Sequence, residues 1–128
     1  MPAATQISIN DATPAAHLYD PVGKKGDLVL YRNVTDANTS ATEEQIGLSL
    51  NRANGSRVTN KVRVSFSVPY EQTVDGAVIA RSVARANMEF ILPDDMSTSE
   101  RADFAALCSN LLDATDVKNH LEDLTPVW

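Results

Sequence analysis

The stretch NKVRVSFSVPYEQTVDG, residues 60–76, alternates without a fault over its first half. Val62, Val64, Phe66 and Val68 fall on one side, and Lys61, Arg63, Ser65 and Ser67 on the other. A period of two marks a half-buried β-strand, because successive side chains leave opposite faces of the pleat. One face therefore belongs to a core. The other is basic and hydroxyl-bearing, in a chain whose formal net charge is -6. A solvated surface and a surface for a polyanion are both open readings of that second face.

Neighbouring segments repeat the pattern. TQISIN places Ile7 and Ile9 on one side, DATPA reads as a turn, and AHLYDPV as the return strand. GKKG at 23–26 reads as a loop, DLVLYR as a third strand, and the polar NVTDANTSATEE as a connection. QIGLSLN alternates again, with Ile46, Leu48 and Leu50 inward and Gln45, Gly47, Ser49 and Asn51 outward. Asn54-Gly55 is a hairpin signal. Pro69 cannot donate to a ladder, so it is expected at or near the end of its strand. Asp75-Gly76 marks a second reversal. After it, IARSVARANMEFI forms a long strand with Ala84, Ala86, Met88 and Phe90 on one face and Arg85, Asn87 and Glu89 on the other. Strands joined by short turns make an antiparallel meander, apolar on one side and polar on the other.

The pattern changes at Pro93. Ser97-x-x-Glu100 is a capping box, and Phe104, Leu107, Cys108, Leu111 and Leu112 recur at the spacing of an amphipathic helix. Thr115 is placed to cap a shorter second helix carrying Val117, Leu121 and Leu124, stopped by Pro126. Strands first and helices last predict an α+β fold, one domain over 1–128 with the sheet in 1–93 and the helices in 97–125. Two short helices are too few to roof a sheet this wide. Exchanging them across a two-fold axis would cover both sheets, so the pattern predicts a homodimer.

The acidity is unevenly spread. From Gln45 to Glu89 six basic residues (Arg52, Arg57, Lys61, Arg63, Arg81, Arg85) face three acids (Glu71, Asp75, Glu89). From Phe90 to Trp128 eight acids accompany only Arg101 and Lys118. A chain acidic overall can still present one positive surface to a polyanion. No apolar run approaches the roughly 20 residues needed to cross a bilayer. MPAATQISIND lacks the basic and apolar regions of a secretory signal, so none is expected. The single Cys108 has no intramolecular disulfide partner. The sequons at Asn33, Asn38 and Asn54 read as chance in Ser/Thr/Asn-rich sequence.

Catalytic patterns are missing: the sequence has no nucleophile elbow, phosphate-binding loop or dinucleotide fingerprint, and no metal-ligand spacing. His17 and His120 are isolated, and Cys108 occupies a helix core position. Asp94-Asp95 precedes a helix start, where carboxylates favour the N-terminus. A small acid/base hydrolase would have only Asp94, Asp95 or His120 to use. Three candidate strands instead pool their polar faces, offering charge for phosphates and small hydrogen-bonding groups for base edges, as sheet platforms for single-stranded RNA do. A dimeric RNA-binding regulator that never assembles further is one reading of that platform.

SLNR and NKVRVSFSVP, QTVDGAVI, NMEF, STSERADF and VKNHLEDLTPVW, in that order and spacing, resemble the coat proteins of single-stranded RNA bacteriophages, the levivirus family. The resemblance runs from Gln45 to the C-terminus, and the segment before it agrees only in type. It implies an N-terminal β-hairpin plus a five-stranded antiparallel sheet, followed by two C-terminal α-helices, in an interlocked dimer whose helices lie over the partner's sheet. It further implies a structural capsid protein with no enzymatic activity and no cofactor, whose dimers form an icosahedral shell in the bacterial host cytoplasm. The implied partners are the chain itself and single-stranded genomic RNA, with a hairpin at the replicase start as operator. No membrane or small-molecule substrate is implied.

Carried over by position, the implied RNA-facing residues are Gln45, Gly47, Ser49, Asn51, Lys61, Arg63, Ser65, Ser67, Arg85, Asn87 and Glu89. Gly47 and Arg63 stand where the family's best-known adenine pocket has threonines, Ser65 where it has a lysine, and Arg85 where some relatives stack an aromatic. Glu71 to Ile79, with Thr73, Val74, Asp75, Gly76, Ala77 and Val78 at its centre, is the implied intersubunit loop.

Overall fold

The computed structural model describes residues 3–33, 43–56 and 58–124. The polar connection at 34–42 with Asn38, Arg57, and the helix stop at Pro126 lie outside the described residues. Six strands precede two helices: β1 (Ile7–Asn10), β2 (Ala16–Lys25), β3 (Leu28–Asn33), β4 (Gln45–Asn51), β5 (Thr59–Val74), β6 (Ala77–Pro93), α1 (Thr98–Asp113) and α2 (Thr115–Asp123). The strands lie in sequence order in one curled sheet, so the N-terminal hairpin is continuous with the strands that follow. The chain divides into two compact units, the sheet up to Ile91 and the helical segment from Leu92.

Register carries the pattern of the sequence into space. β4 pairs antiparallel with β5 through Gln45↔Ser67, Gly47↔Ser65, Ser49↔Arg63 and Asn51↔Lys61 on one face. Ile46↔Phe66, Leu48↔Val64 and Leu50↔Val62 alternate with them on the other. A slip of one residue would exchange the two faces. β3 joins with Tyr31 opposite Ile46 and Val29 opposite Leu48, which extends the apolar face. Tyr19, Tyr31 and Ile46 are buried there, with Ile7, Val29, Leu48 and Phe66 packed around them. The Tyr19 and Phe66 rings meet edge to face, centroids 5.9 Å apart at 78°. Such a pair adds about 0.5–1.5 kcal/mol beyond its area. β2 and β5 are separated by two strands, and the curl of the sheet brings these rings together.

The turns follow their chemistry, with two departures from expectation. Asp75 and Gly76 both have positive φ, 53° and 80°, the primed geometry that matches strand twist in a two-residue hairpin. The expected Glu71–Ile79 loop is therefore mostly strand, with only Asp75 and Gly76 in the turn. Pro69 lies within β5 rather than at its end. Its position is tolerable because the ladder with β4 ends at Gln45↔Ser67, before the proline. At the β4–β5 turn Gly55 has φ +52°, and Ala53 N–H donates to Asn60 Oδ1 at 2.8 Å.

In the helical unit the capping box forms as read. Glu100 N–H donates to Ser97 Oγ at 3.2 Å, and Ser97 N–H to Glu100 Oε1 at 3.0 Å. These bonds favour the Glu100 carboxylate and lower its pKa. The second helix is capped differently from expectation: Ala114 is its N-cap, no side chain caps it, and Thr115 is already its first residue. Phe104, Leu107, Leu111, Leu112, Leu121 and Leu124 are all exposed, Leu121 at 75%.

His17 is structural. Its Nε2 lies 2.9 Å from Asp11 Oδ2 and its Nδ1 2.8 Å from Glu44 Oε2, so both ring nitrogens face carboxylates. The imidazolium is favoured, chiefly by Glu44 and then by Asp11, and the pKa rises to about 9. Asp11 also accepts from the Thr13 hydroxyl, from Thr13 N–H at 2.9 Å and from Ala15 N–H at 2.8 Å, which holds its carboxyl far below the usual range. Glu44 accepts in turn from the buried Asn33 side chain. Because the folded-state pKa of His17 is raised, its contribution is complete below about pH 6.5 and is lost as pH rises through about 9. The thermal midpoint of the dissociated protein should fall between pH 7 and 10, and His17→Gln should flatten that decline. An equally steep fall in the variant would assign the effect to other groups.

Candidate nucleic-acid interface

The second face of the sheet is built from β3, β4, β5 and β6. Each of the eleven residues expected to meet RNA, ten polar ones and Gly47, lies along at least one of three adjoining shallow grooves on it. The central groove, about 410 Å³, contains Gly47, Ser49, Arg63, Ser65, Asn87 and Glu89. One flank, about 180 Å³, adds Gln45, Ser67 and Arg85. The other, about 340 Å³, adds Asn51 and Lys61. Strand alternation and the β4–β5 register collect them, so residues distant in sequence share one surface.

Sequence reasoning missed part of this surface. Leu28 and Leu30 of β3 stand opposite Ser49 and Gly47, which puts them on the polar face. Leu30 is 40% exposed there. In DLVLYR both alternating sets are apolar or aromatic at their centre, so periodicity could not say which leucines face which way. The GKKG segment expected as a loop is strand up to Lys25, because Gly23, Lys24 and Lys25 pair with β3, and Lys25 with Asp27 of the turn lines the flanking groove beside Lys61. The signal available for Lys25 was the basic GKKG loop, which no pairing rule tied to the platform.

Gly47 shapes the centre. A Cβ there would stand 2.6 Å from Ser65 Oγ and 3.5 Å from Leu28 Cδ1. The missing side chain leaves the Ser65 hydroxyl and the Leu28 methyl at the groove floor. Flat apolar surface beside hydrogen-bonding groups suits an unstacked base, which needs both a resting plane and partners for its edge.

Lys25, Lys61, Arg63 and Arg85 line the grooves against the carboxylates of Asp27 and Glu89. The surface is thus cationic within an acidic chain. Arg63 Nε donates to Glu89 Oε2 at 3.1 Å, joining β5 to β6 across the middle. The pair is largely exposed and contributes little to stability. Among the described residues no group of three or more His, Cys, Asp or Glu is placed to hold a metal ion. Among them also, no helix is long and apolar enough to cross a membrane.

The hairpin tip offers a different surface. Tyr70, Val74, Val78 and Ile79 are exposed around it, Tyr70 at 51%. Thr73 and Val74 end β5, and Ala77 and Val78 begin β6. This apolar tip lies outside the grooves.

The same fold occurs in several solved assemblies. The chain is similar to the virus-like particle protein of Beihai levi-like virus 21, with TM-score 0.91, 18% identity and 99% of each chain covered. It is similar to that of bacteriophage ESE058, with TM-score 0.84 and 25% identity over 99% of this chain and 100% of that one. The protein capsid of bacteriophage GA matches with TM-score 0.79 and 14% identity over 95% of each chain. No match is found among curated protein sequences. A six-stranded curled sheet followed by two helices is the architecture these proteins share. The profile described as levivirus coat protein matches residues 2–128, nearly the whole sequence, and the chain belongs to that family.

Proposed function

We propose that this protein dimerises and assembles into an icosahedral shell around a single-stranded RNA genome, its grooved sheet face turned inward to the RNA. The observation that carries the RNA part is the union, on one face, of cations, small polar groups, the half-buried Leu28 and the exposed Leu30. Cations neutralise phosphates and supply most of the affinity, while side-chain amides and hydroxyls reach base edges. The family is structural, so Asp94, Asp95 and His120 carry no hydrolytic role.

The homodimer is supported by what a single chain leaves bare. Its buried apolar core amounts to Tyr19, Tyr31 and Ile46 among the described residues, while the helix leucines stand in water. Burying a Leu contributes about 1.5–3 kcal/mol, so covering these helices with a second copy is a large gain. Packing of each copy's helices on its partner's sheet meets that need. The exposed apolar hairpin tip fits contacts between dimers around the symmetry axes. Similar proteins whose structures are virus-like particles support the same assembly. The shell then forms the virion, assembled in the cytoplasm of a bacterial host. An operator hairpin at the replicase start is the specific ligand in this reading, and the bulk genome the general one.

Expression in bacteria should yield closed RNA-containing particles by electron microscopy. Discrete soluble dimers at every salt and protein concentration would instead indicate an RNA-binding regulator. Lys61→Ala with Arg63→Ala should lower encapsidated RNA and make the salt dependence of binding shallower, by roughly 0.7 in the log–log slope per lost contact to single-stranded RNA. Unchanged RNA content and slope would refute the assignment of those two residues. Gly76→Val puts a branched side chain at φ +80°, a strain of order 1–3 kcal/mol at the turn. Dimers should survive and closed shells should become scarce, measured by size-exclusion chromatography and microscopy.

A further inference from the structure

We propose that the central groove is a guanine-selective subsite in which Arg63 and Glu89 together read the edge of one unpaired base. The proposal rests on the RNA-facing reading of this sheet and adds which base the groove selects.

The geometry is specific to these residues. Arg63 uses Nε to hold Glu89 Oε2 at 3.1 Å, and among the described residues neither side chain has a further hydrogen-bond partner. Both terminal nitrogens of Arg63 and Oε1 of Glu89 therefore remain available. Their side chains are 65% and 38% exposed and border the same groove. The pair presents a double donor beside an acceptor.

Guanine carries the matching sequence of groups. Along its edge N7 and O6 accept, and N1–H and the 2-amino group donate, in that order. An arginine fork donates to the first two, and the Glu89 carboxylate accepts from the second two, one on Oε1 and one on the lone pair of Oε2 that Arg63 does not use. Adenine and cytosine each offer one donor flanked by a lone pair that repels the carboxylate. Uracil offers one N–H between two carbonyls. Only guanine provides two contiguous donors next to acceptors.

The floor suits a base plane. Gly47 contributes no side chain, and Leu28 supplies a methyl group close to where a Cβ would lie. Charge supplies an independent argument. A surface that only gripped phosphates would bind them better without a carboxylate at its centre, because Glu89 repels the backbone. Glu89 gains a use once it accepts hydrogen bonds from a base.

The test uses the purified full-length protein and unstructured uridine-rich RNA nonamers with one central guanosine, inosine, adenosine or cytidine, measured by fluorescence anisotropy. Guanosine should bind roughly ten-fold tighter than adenosine or cytidine, the scale of one good bidentate contact. Inosine, which lacks the 2-amino group, should fall between them. Glu89→Gln should erase the preference, bringing guanosine affinity to the level of adenosine and cytidine. Arg63→Lys should keep the charge, lose the fork and weaken discrimination. Equal affinity for all four oligonucleotides, or a guanosine preference that survives Glu89→Gln, overturns the subsite and leaves the general RNA face standing. Failure of the unmodified protein to bind any of the four overturns both.

Discussion

The pairing of β4 on β5 is the constraint on which the rest depends. With Gly47 opposite Ser65 and Ile46 opposite Phe66, one set of side chains builds the core and the other builds the grooves. Register in a two-faced sheet is all or none, because the side-chain period is two residues. A displaced β4 would turn Ser49 toward the core and Leu48 toward the grooves. Hydrophobic burial and the proposed RNA surface are thus enforced by the same ladder, and neither can drift without the other.

The same ladder leaves the chain incomplete on its own. Curling brings Tyr19 onto Phe66 and closes a small core around Tyr31 and Ile46. The long hairpin of β5 and β6 and both helices retain exposed apolar side chains. Conformational entropy costs on the order of 1–2 kcal/mol per ordered backbone residue, and so little burial offsets it poorly. A protein with this balance has its stability tied to association, which suits a coat protein whose working state is the assembly.

Charge is arranged on the same plan. Lys25, Lys61, Arg63 and Arg85 gather along the grooves of the sheet, while the helical segment from Leu92 onward carries eight acids against two bases. The ion pair between Arg63 and Glu89 keeps a carboxylate at the middle of the positive surface, as Asp27 does at its flank. At the sheet's far end His17 is clamped between Asp11 and Glu44, tying the first turn to the start of β4. That cluster is a tether for the fold and lies outside the grooves.

Much was legible before any coordinates. The alternation of 60–68, the reversal at Asp75-Gly76 and the capping box at Ser97 and Glu100 are local patterns, dictated by side-chain period and backbone chemistry within a few residues, and each took its expected form. Tertiary structure alone decided which side of β3 faces the grooves, because Val29 with Tyr31 and Leu28 with Leu30 each read as a core-facing set, and only pairing with β4 tells them apart. It also let Pro69 sit inside β5, since the end of the β4 ladder at Ser67 is not written near the proline. The contact of Arg63 with Glu89 likewise spans 26 positions. Local sequence sets the period and the turns, whereas contacts between distant strands depend on register, which is settled only when the whole sheet closes on its core.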